Sequence, residues 1–265
     1  KLFEAAGLPP NLLHVLPGHA EAGEELCTNP AVAMVSFTGS TRAGRRVGAL
    51  CGENLKKVQL ELGGKNPLIV LDDADPDLAA ANAAWGAWLH QGQICMATGR
   101  ILLQQGIADA VTAKLVDKAR HLPVGDPHLN PDVALGPLIT PQQVQRLDAI
   151  VQDSVKAGAK LLAGGRIDDR FYAPTVLADV RPGMPAFNEE LFGPVAVITT
   201  FRDDAEAVRL ANATSYGLAG AVIGTDLTRA RAVAAQLRFG HLHVNDQTVL
   251  ADPSAPFGGF GLSGN

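Results

Sequence analysis

The stretch that most constrains the fold runs from Pro67 to Gln104, where two short apolar segments flank a helix with a well-marked start. Pro67–Leu71 is a continuous apolar run, the pattern of a strand buried on both faces of a sheet. Asp75-Pro76-Asp77 then offers an N-cap side chain, a proline at the first helical position and an acid at the positive end of the helix dipole. These signals predict a helix to about Gln91, and Arg100–Gln104 reads as the next strand. A connection of that length suits parallel neighbours, so the unit is read as βαβ.

The same alternation extends in both directions. Before it, Lys1–Gly7 reads as the end of a helix, Leu12–Leu16 as an apolar run closed by Pro17-Gly18, and Ala31–Phe37 as a strand leading to a helix over Arg42–Gly52; Lys56–Leu62 alternates. After it come a helix over Ile107–His121, a Pro- and Asp-rich loop over Pro123–Leu135 and a helix over Pro141–Ala157. Extended segments follow at Ala159–Ala163, Tyr172–Leu177, Val195–Phe201, Ala219–Ile223 and His241–Asn245, the later ones separated by helices at Asp203–Ala211 and Leu227–Leu237. Repeated βαβ units predict an α/β fold built on a parallel sheet.

Composition matters here for what it excludes. With 265 residues, 47% of them hydrophobic, the chain can bury a large core in one domain or two. A formal charge of −5 argues against a nucleic-acid surface. No segment approaches the roughly 18 consecutive apolar residues of a membrane helix. Cys27, Cys51 and Cys95 are odd in number and widely spaced, which fits a reducing, cytoplasmic setting better than a disulfide framework or a zinc site. A start at Lys1 and a stop at Asn265, directly after a Gly-rich turn, read as a piece of a longer protein.

Candidate chemistry centres on Gln91-Gly92-Gln93-Ile94-Cys95-Met96, just past the predicted helix end. Cys95 is the candidate nucleophile, although a lone cysteine is more often a small buried hydrophobe. Upstream, Leu60-Glu61-Leu62-Gly63-Gly64-Lys65 places a carboxylate at a strand end before a Gly pair. A thiol and a carboxylate brought together can form an acyl-enzyme and then hydrolyse it. Gly39-Ser40-Thr41-Arg42-Ala43-Gly44 leaves a strand and enters a helix, so Ser40 and Thr41 could face an anion with the first free N–H groups. Arg45 and Arg46 stand where a P-loop needs Lys and Ser/Thr, the three-glycine dinucleotide fingerprint is absent, and a plain N-cap is the simpler reading. His241 and His243 share one face of a strand without a third ligand nearby, so no metal site is expected.

Five blocks now stand together: Phe37-Thr38-Gly39-Ser40-Thr41, Leu60-Glu61-Leu62-Gly63-Gly64-Lys65, Gln91-Gly92-Gln93-Ile94-Cys95, Glu189-Glu190-Leu191-Phe192-Gly193-Pro194 and Pro256-Phe257-Gly258-Gly259. In order and spacing they resemble the signature blocks of the NAD(P)-dependent aldehyde dehydrogenase superfamily. The resemblance covers Lys1 to Asn265 and answers to the middle and later part of the family's usual chain. It implies the later part of a Rossmann-like NAD(P)-binding domain over residues 1–63 and a parallel-sheet α/β catalytic domain over residues 64–265.

Carried over residue by residue, the resemblance gives Cys95 the nucleophile's role and Glu61 that of the base that activates water against a thioester. Its glutamate points to a carboxylic acid product, since CoA-acylating relatives generally lack it. Gly39 and Ser40 would meet the cofactor pyrophosphate, with Leu62 and Gly63 also bordering the cofactor. Glu190 would accept the nicotinamide ribose hydroxyls and Phe192 would pack beside the nicotinamide. The implied cofactor is NAD, with NADP as the other option, and the implied partner is a small aldehyde, in a parent that assembles as a homodimer or tetramer. The segment His241 to Val249, with Pro256 to Gly261, further resembles the branch that oxidises aromatic aldehydes such as benzaldehyde and vanillin. On that likeness Trp88, Ile94, Met96, Thr248, Val249 and Leu250 would line the aldehyde tunnel, and Asn245 would brace the active-site loop.

Departures from the family pattern carry their own expectation. The family's oxyanion-hole asparagine, its adenosine-ribose lysine and the residue that selects against a 2′-phosphate would all precede Lys1, and the last strand, which usually pairs across a dimer, would follow Asn265. Loss of one oxyanion donor costs on the order of 10²–10³ in turnover, so the 265 residues alone are expected to be inactive or nearly so. Two other readings stand beside this one: a cysteine hydrolase using His90 or His14 as base, and a non-enzymatic relative, which would be expected to have lost Cys95 or Glu61.

Overall fold

The computed structural model describes all residues from Lys1 to Asn265, in two units, Lys1–Leu60 and Glu61–Asn265. The first contains α1 (Leu2–Ala5), α2 (Ala20–Thr28), β1 (Met34–Thr38) and α3 (Thr41–Glu53), and β2 (Lys57–Glu61) closes it and pairs with β1 in a two-stranded sheet. Its small core is Cys27, Leu50 and Cys51, with Val35, Val47 and Val58 packed around them. Helix α2 was not visible in the sequence because Cys27 is its only buried residue, too sparse an apolar signal to register. Its Glu24 pairs with Arg46 of α3 at 2.8 Å. The apolar run Leu12–Leu16 forms neither helix nor strand, and Leu12, Leu13, Val15 and Leu16 are exposed.

The second unit continues with β3 (Asn66–Val70), α4 (Pro76–Trp88), β4 (Thr98–Gln104), α5 (Gln105–His121), α6 (Pro141–Lys156) and β5 (Lys160–Ala163). A small hairpin, β6 (Ile167–Asp168) and β7 (Phe171–Tyr172), precedes β8 (Thr175–Ala178), α7 (Pro185–Asn188), β9 (Val195–Phe201) and α8 (Asp204–Ala211). The chain ends with β10 (Tyr216–Gly217), β11 (Ala219–Ile223), α9 (Leu227–Ala234), β12 (His241–Val244) and β13 (Phe260–Gly261). Seven strands form one sheet in the order β12-β11-β3-β4-β9-β8-β5. Every neighbouring pair is parallel except β5 with β8 at one edge.

The apolar run that opened the sequence argument sits in the middle of this sheet, and its alternate residues feed two cores. Leu68 and Val70 pack with Ile101 and Leu103 against Ala79, Ala83, Val111 and Leu115 of α4 and α5. Ile69 and Leu102 face the other way, into Val144 and Leu147 of α6, Ala207 and Leu210 of α8, and Ala230 and Val233 of α9. Burial on both faces is why these strands read as unbroken apolar runs instead of alternating ones.

Two boundaries depend on close approaches. Helix α4 stops at Trp88 and not near Gln91, and a short 3₁₀ turn over Leu89–Gly92 follows, in which His90, Gln91 and Gly92 have φ of 49°, 57° and 65°. A Cβ on Gly92 would lie 2.2 Å from the Gly193 carbonyl oxygen, so the chain passes too near its neighbour for any other residue. At the carboxyl ends of the strands, Arg229 on α9 reaches Asp72 at 2.7 Å, Asp204 at 2.9 Å through its Nε, and Gln104 at 3.0 Å. That end of the sheet is tied off by ion pairs and helix caps.

Candidate active site

The polar groups with chemical potential lie at the opposite end, where the chain enters β3, β4 and β9. Glu61 to Lys65 lead into β3, the turn holding Cys95 leads into β4, and Glu190 to Pro194 lead into β9. The C-terminal residues pin the first of these segments: Leu62 donates from its backbone to the Ser263 carbonyl at 2.9 Å, and the Ser263 hydroxyl donates to the Gly63 carbonyl at 2.7 Å. Glu61 pairs through its backbone with Gly264, and one carboxylate oxygen stands 3.9 Å from where a Cβ on Gly258 would be.

Cys95 is partly exposed in a turn closed by the Ala97 amide donating to the Ile94 carbonyl at 3.0 Å. Burial pushes the thiol pKa up, hydrogen bonds from the Met96 and Cys95 amides pull it down, and the Glu190 and Glu61 carboxylates push it up again. Both carboxylates are therefore within electrostatic reach of the sulfur. A thiol in that company can attack an electrophilic carbon once deprotonated, and a neighbouring carboxylate can then activate water. Of the two histidines suggested for a hydrolase, His90 is exposed, and the His14 ring sits against the Asn11 carbonyl at 3.3 Å.

Glu190 shows why the glycine pair is needed. Its Oε1 accepts a hydrogen bond from the Gly64 amide at 2.9 Å, and a Cβ on Gly63 would fall 2.3 Å from its Oε2. Burial raises the Glu190 pKa, with the Gly64 amide acting against it. Phe192 takes a left-handed backbone at φ 53°, and Gln143 of α6 donates to the Leu191 and Phe192 carbonyls at 2.9 Å each. Glu190, Phe192 and Ile94 border a narrow crevice with Gly64, Ala97 and Gly99.

Three residues of this neighbourhood have no role assigned from the sequence. Asn66, fully buried at the start of β3, donates to the Cys95 and Ala97 carbonyls at 2.8 Å each and accepts from the Ala219 amide at 3.0 Å. Arg100, also fully buried, spends its guanidinium on the Lys65, Leu210 and Ala211 carbonyls, and burial lowers its pKa to about 9. Lys65 is fully buried with no hydrogen-bond partner for its amine, whose pKa is driven well down by burial and by Arg100. The one signal available was a polar residue placed directly before an apolar strand.

The remaining candidates fall in different places. Ile94, Met96 and Val249 are partly exposed and Leu250 is exposed. Thr248 is fully buried, donating to the Met96 carbonyl at 2.6 Å and paired with the Thr98 hydroxyl at 2.8 Å. Trp88 is buried and borders an apolar cavity of about 490 Å³ with Trp85, Leu89, Leu122 and Leu135, none of which lines the crevice beside Glu190. Asn245 accepts from the Gly224 amide at 2.9 Å, just past the carboxyl end of β11. His241 accepts from the Gly258 amide at 3.1 Å and packs on Phe257. In the first unit, Ser40 caps α3 by accepting from the Ala43 amide at 3.2 Å, and the Phe37 ring fills the space a side chain on Gly39 would need.

A model of the aldehyde dehydrogenase family matches residues 1–265. The chain is 49% identical over its full length to a benzaldehyde dehydrogenase (NAD+) of Pseudomonas putida, covering 54% of that protein. It is 48% identical over 264 residues to a vanillin dehydrogenase of Amycolatopsis sp., all of this chain against 54% of the relative. The crystal structure of a salicylaldehyde dehydrogenase from Pseudomonas putida G7, complexed with salicylaldehyde, superimposes with a TM-score of 0.96 at 38% identity, over 99% of this chain and 55% of the other. The chain thus spans about half the length of the relatives it matches.

Proposed function

The chain belongs to the aldehyde dehydrogenase family, and from that premise we propose that it carries the thiol and base of an NAD(P)-dependent oxidation of an aldehyde to a carboxylic acid. The observation that carries this reading is that the segments bearing Glu61, Cys95 and Glu190 enter β3, β4 and β9 at one end of the sheet, where Gly64, Ile94, Ala97 and Glu190 line one crevice. Cys95, deprotonated, adds to the aldehyde carbon and holds it as a hemithioacetal. When bound, the nicotinamide dinucleotide supplies the two-electron oxidant. The carbon remains on Cys95 as a thioester, and Glu61 takes a proton from the water that hydrolyses it.

The residues present suit such a cofactor. Glu190 is held by one carboxylate oxygen on the Gly64 amide, and the bare Cα of Gly63 leaves room for it. That arrangement supports Glu190 as acceptor for ribose hydroxyls, with Phe192 beside the ring and Leu62 and Gly63 bordering it. Ser40 and Gly39, at the start of α3, are assigned to the pyrophosphate because a helix N-terminus with a small side chain favours an anion. On this reading residues 1–63 belong to the cofactor domain and residues 64–265 to the catalytic one.

An aromatic aldehyde is the favoured substrate. The support is the names of the relatives, benzaldehyde, vanillin and salicylaldehyde dehydrogenases, together with the apolar side chains of Ile94, Met96, Val249 and Leu250. The test uses the full-length protein with NAD and then NADP, benzaldehyde against acetaldehyde, followed by absorbance of the reduced nicotinamide. A kcat/KM for acetaldehyde equal to that for benzaldehyde would sink the aromatic assignment. Full turnover by Cys95→Ala would sink the mechanism.

A further inference from the structure

Three successive carbonyl oxygens, those of Cys95, Met96 and Ala97, are each held by a side chain from outside their own turn. Asn66 takes the first and third at 2.8 Å, and Thr248 takes the second at 2.6 Å. Both side chains are fully buried and come from different strands or loops. Asn66 is fixed in turn by the Ala219 amide, and Thr248 by the Thr98 hydroxyl.

The C=O and N–H of one trans peptide point in opposite directions. Holding the Cys95 carbonyl on Asn66 therefore aims the Met96 N–H the other way, and that amide is one of two that lower the thiol's pKa against the burial that raises it. The second is the Cys95 N–H, set likewise because the Ile94 carbonyl of the same peptide is taken by the Ala97 amide. We propose that Asn66 and Thr248 are positioning residues for Cys95, which clamp the carbonyls of its turn so that the turn's amides face the sulfur. The inference rests on Cys95 being the nucleophile of the proposed reaction.

The variants are made in the full-length protein. Thr248→Val keeps the volume and loses the donor, Asn66→Ala loses donors and acceptor, and Asn66→Ser keeps one donor. The first readout is the pH dependence of Cys95 alkylation by iodoacetamide, located by peptide mass, which needs no cofactor. The alkylation midpoint is expected to move to higher pH in Thr248→Val and further in Asn66→Ala, with partial return in Asn66→Ser. The second readout is kinetic: kcat falls by about 10- to 100-fold in Asn66→Ala and by about 3-fold in Thr248→Val, while KM for NAD stays within about two-fold in both. A side chain that only supports the fold would lower the melting temperature and leave the midpoint where it was. Unmoved midpoints in the variants that fold overturn the proposal, and the isosteric Thr248→Val decides if neither Asn66 variant accumulates. Normal turnover by Cys95→Ala would instead bring down the dehydrogenase reading, while the alkylation profiles would still judge the clamp.

Discussion

The two ends of the seven-stranded sheet solve the same problem with different chemistry. At the carboxyl ends, loose strand and helix termini are closed by charge: Arg229 on Asp72 and Asp204, Asp226 and Asp203 as caps of α9 and α8, and the Asp226 amide on Asp73 at 2.6 Å. At the amino ends single side chains close onto the backbone itself: the Asn66 carboxamide, the Thr248 and Ser263 hydroxyls, the Arg100 guanidinium on three carbonyls and the Glu190 carboxylate on the Gly64 amide. The Cys95 thiol, with the Glu61 and Glu190 carboxylates acting on its pKa, lies at this end. Ligands in open α/β sheets usually gather at the carboxyl ends of the strands. Here that end is occupied by structural ion pairs, and the proposed site sits at the other.

The contrast can be broken most directly at the thiol. Cys95→Ala in the full-length protein is expected to lower aldehyde oxidation by on the order of 10⁴ or more, while its melting temperature stays near that of the parent. Glu61→Gln should cost about 10²–10⁴ in steady-state turnover. A rapid burst of reduced nicotinamide should persist, because in the proposed mechanism thioester formation precedes the step that needs the base. Loss of the burst would show Glu61 acting earlier.

The carboxyl end should answer in stability and not in rate. Arg229→Ala is expected to cost about 1 kcal/mol, since its partners are substantially exposed, and about 3 °C in Tm for a chain of this size, with kcat at low temperature unchanged. The Asp204 pKa is lowered, chiefly by its hydrogen bond to Arg229. That contribution is present above the ordinary carboxylate range near 3.9 and fades as pH falls through the depressed value, so the Tm gap between parent and variant should narrow in acid. The smallest effect belongs to Glu190→Gln. Removing a carboxylate that raises the Cys95 pKa should move the alkylation midpoint to lower pH. At a fixed pH below it, the rate should rise by about two- to three-fold. An Arg229 variant with impaired kcat, or a Glu190 variant with an unmoved midpoint, would blur the division between the two ends.

What the sequence revealed follows the same division. The strand runs and the capped start of α4 were legible because burial on two faces and a Pro after an Asp leave local marks. Cys95, Glu61 and Glu190 stood out through the blocks around them. Asn66 did not, because a buried carboxamide is recognised by its partners at Cys95, Ala97 and Ala219, which are distant in sequence. Thr248 is expected from its neighbours to line the tunnel, and the bond from its hydroxyl to the Met96 carbonyl is a second feature that leaves no local mark. The end of α4 falls three residues before the expected one, because its last side chains are helix-compatible while the left-handed turn and the close approach to Gly193 leave no local mark.

That last feature inverts the usual rules of substitution. Across His90, Gln91 and Gly92 the backbone has the opposite hand to the helix it leaves, a conformation that costs an L-residue about 1–2 kcal/mol. The residue that weakens an ordinary helix is therefore the one that relaxes this segment. Glycine at His90 or Gln91 becomes a gain in backbone energy, and a β-branched residue, harmless one turn earlier, becomes a loss. The short mirror-handed passage before Cys95 is thus a place where mutational tolerance runs backwards.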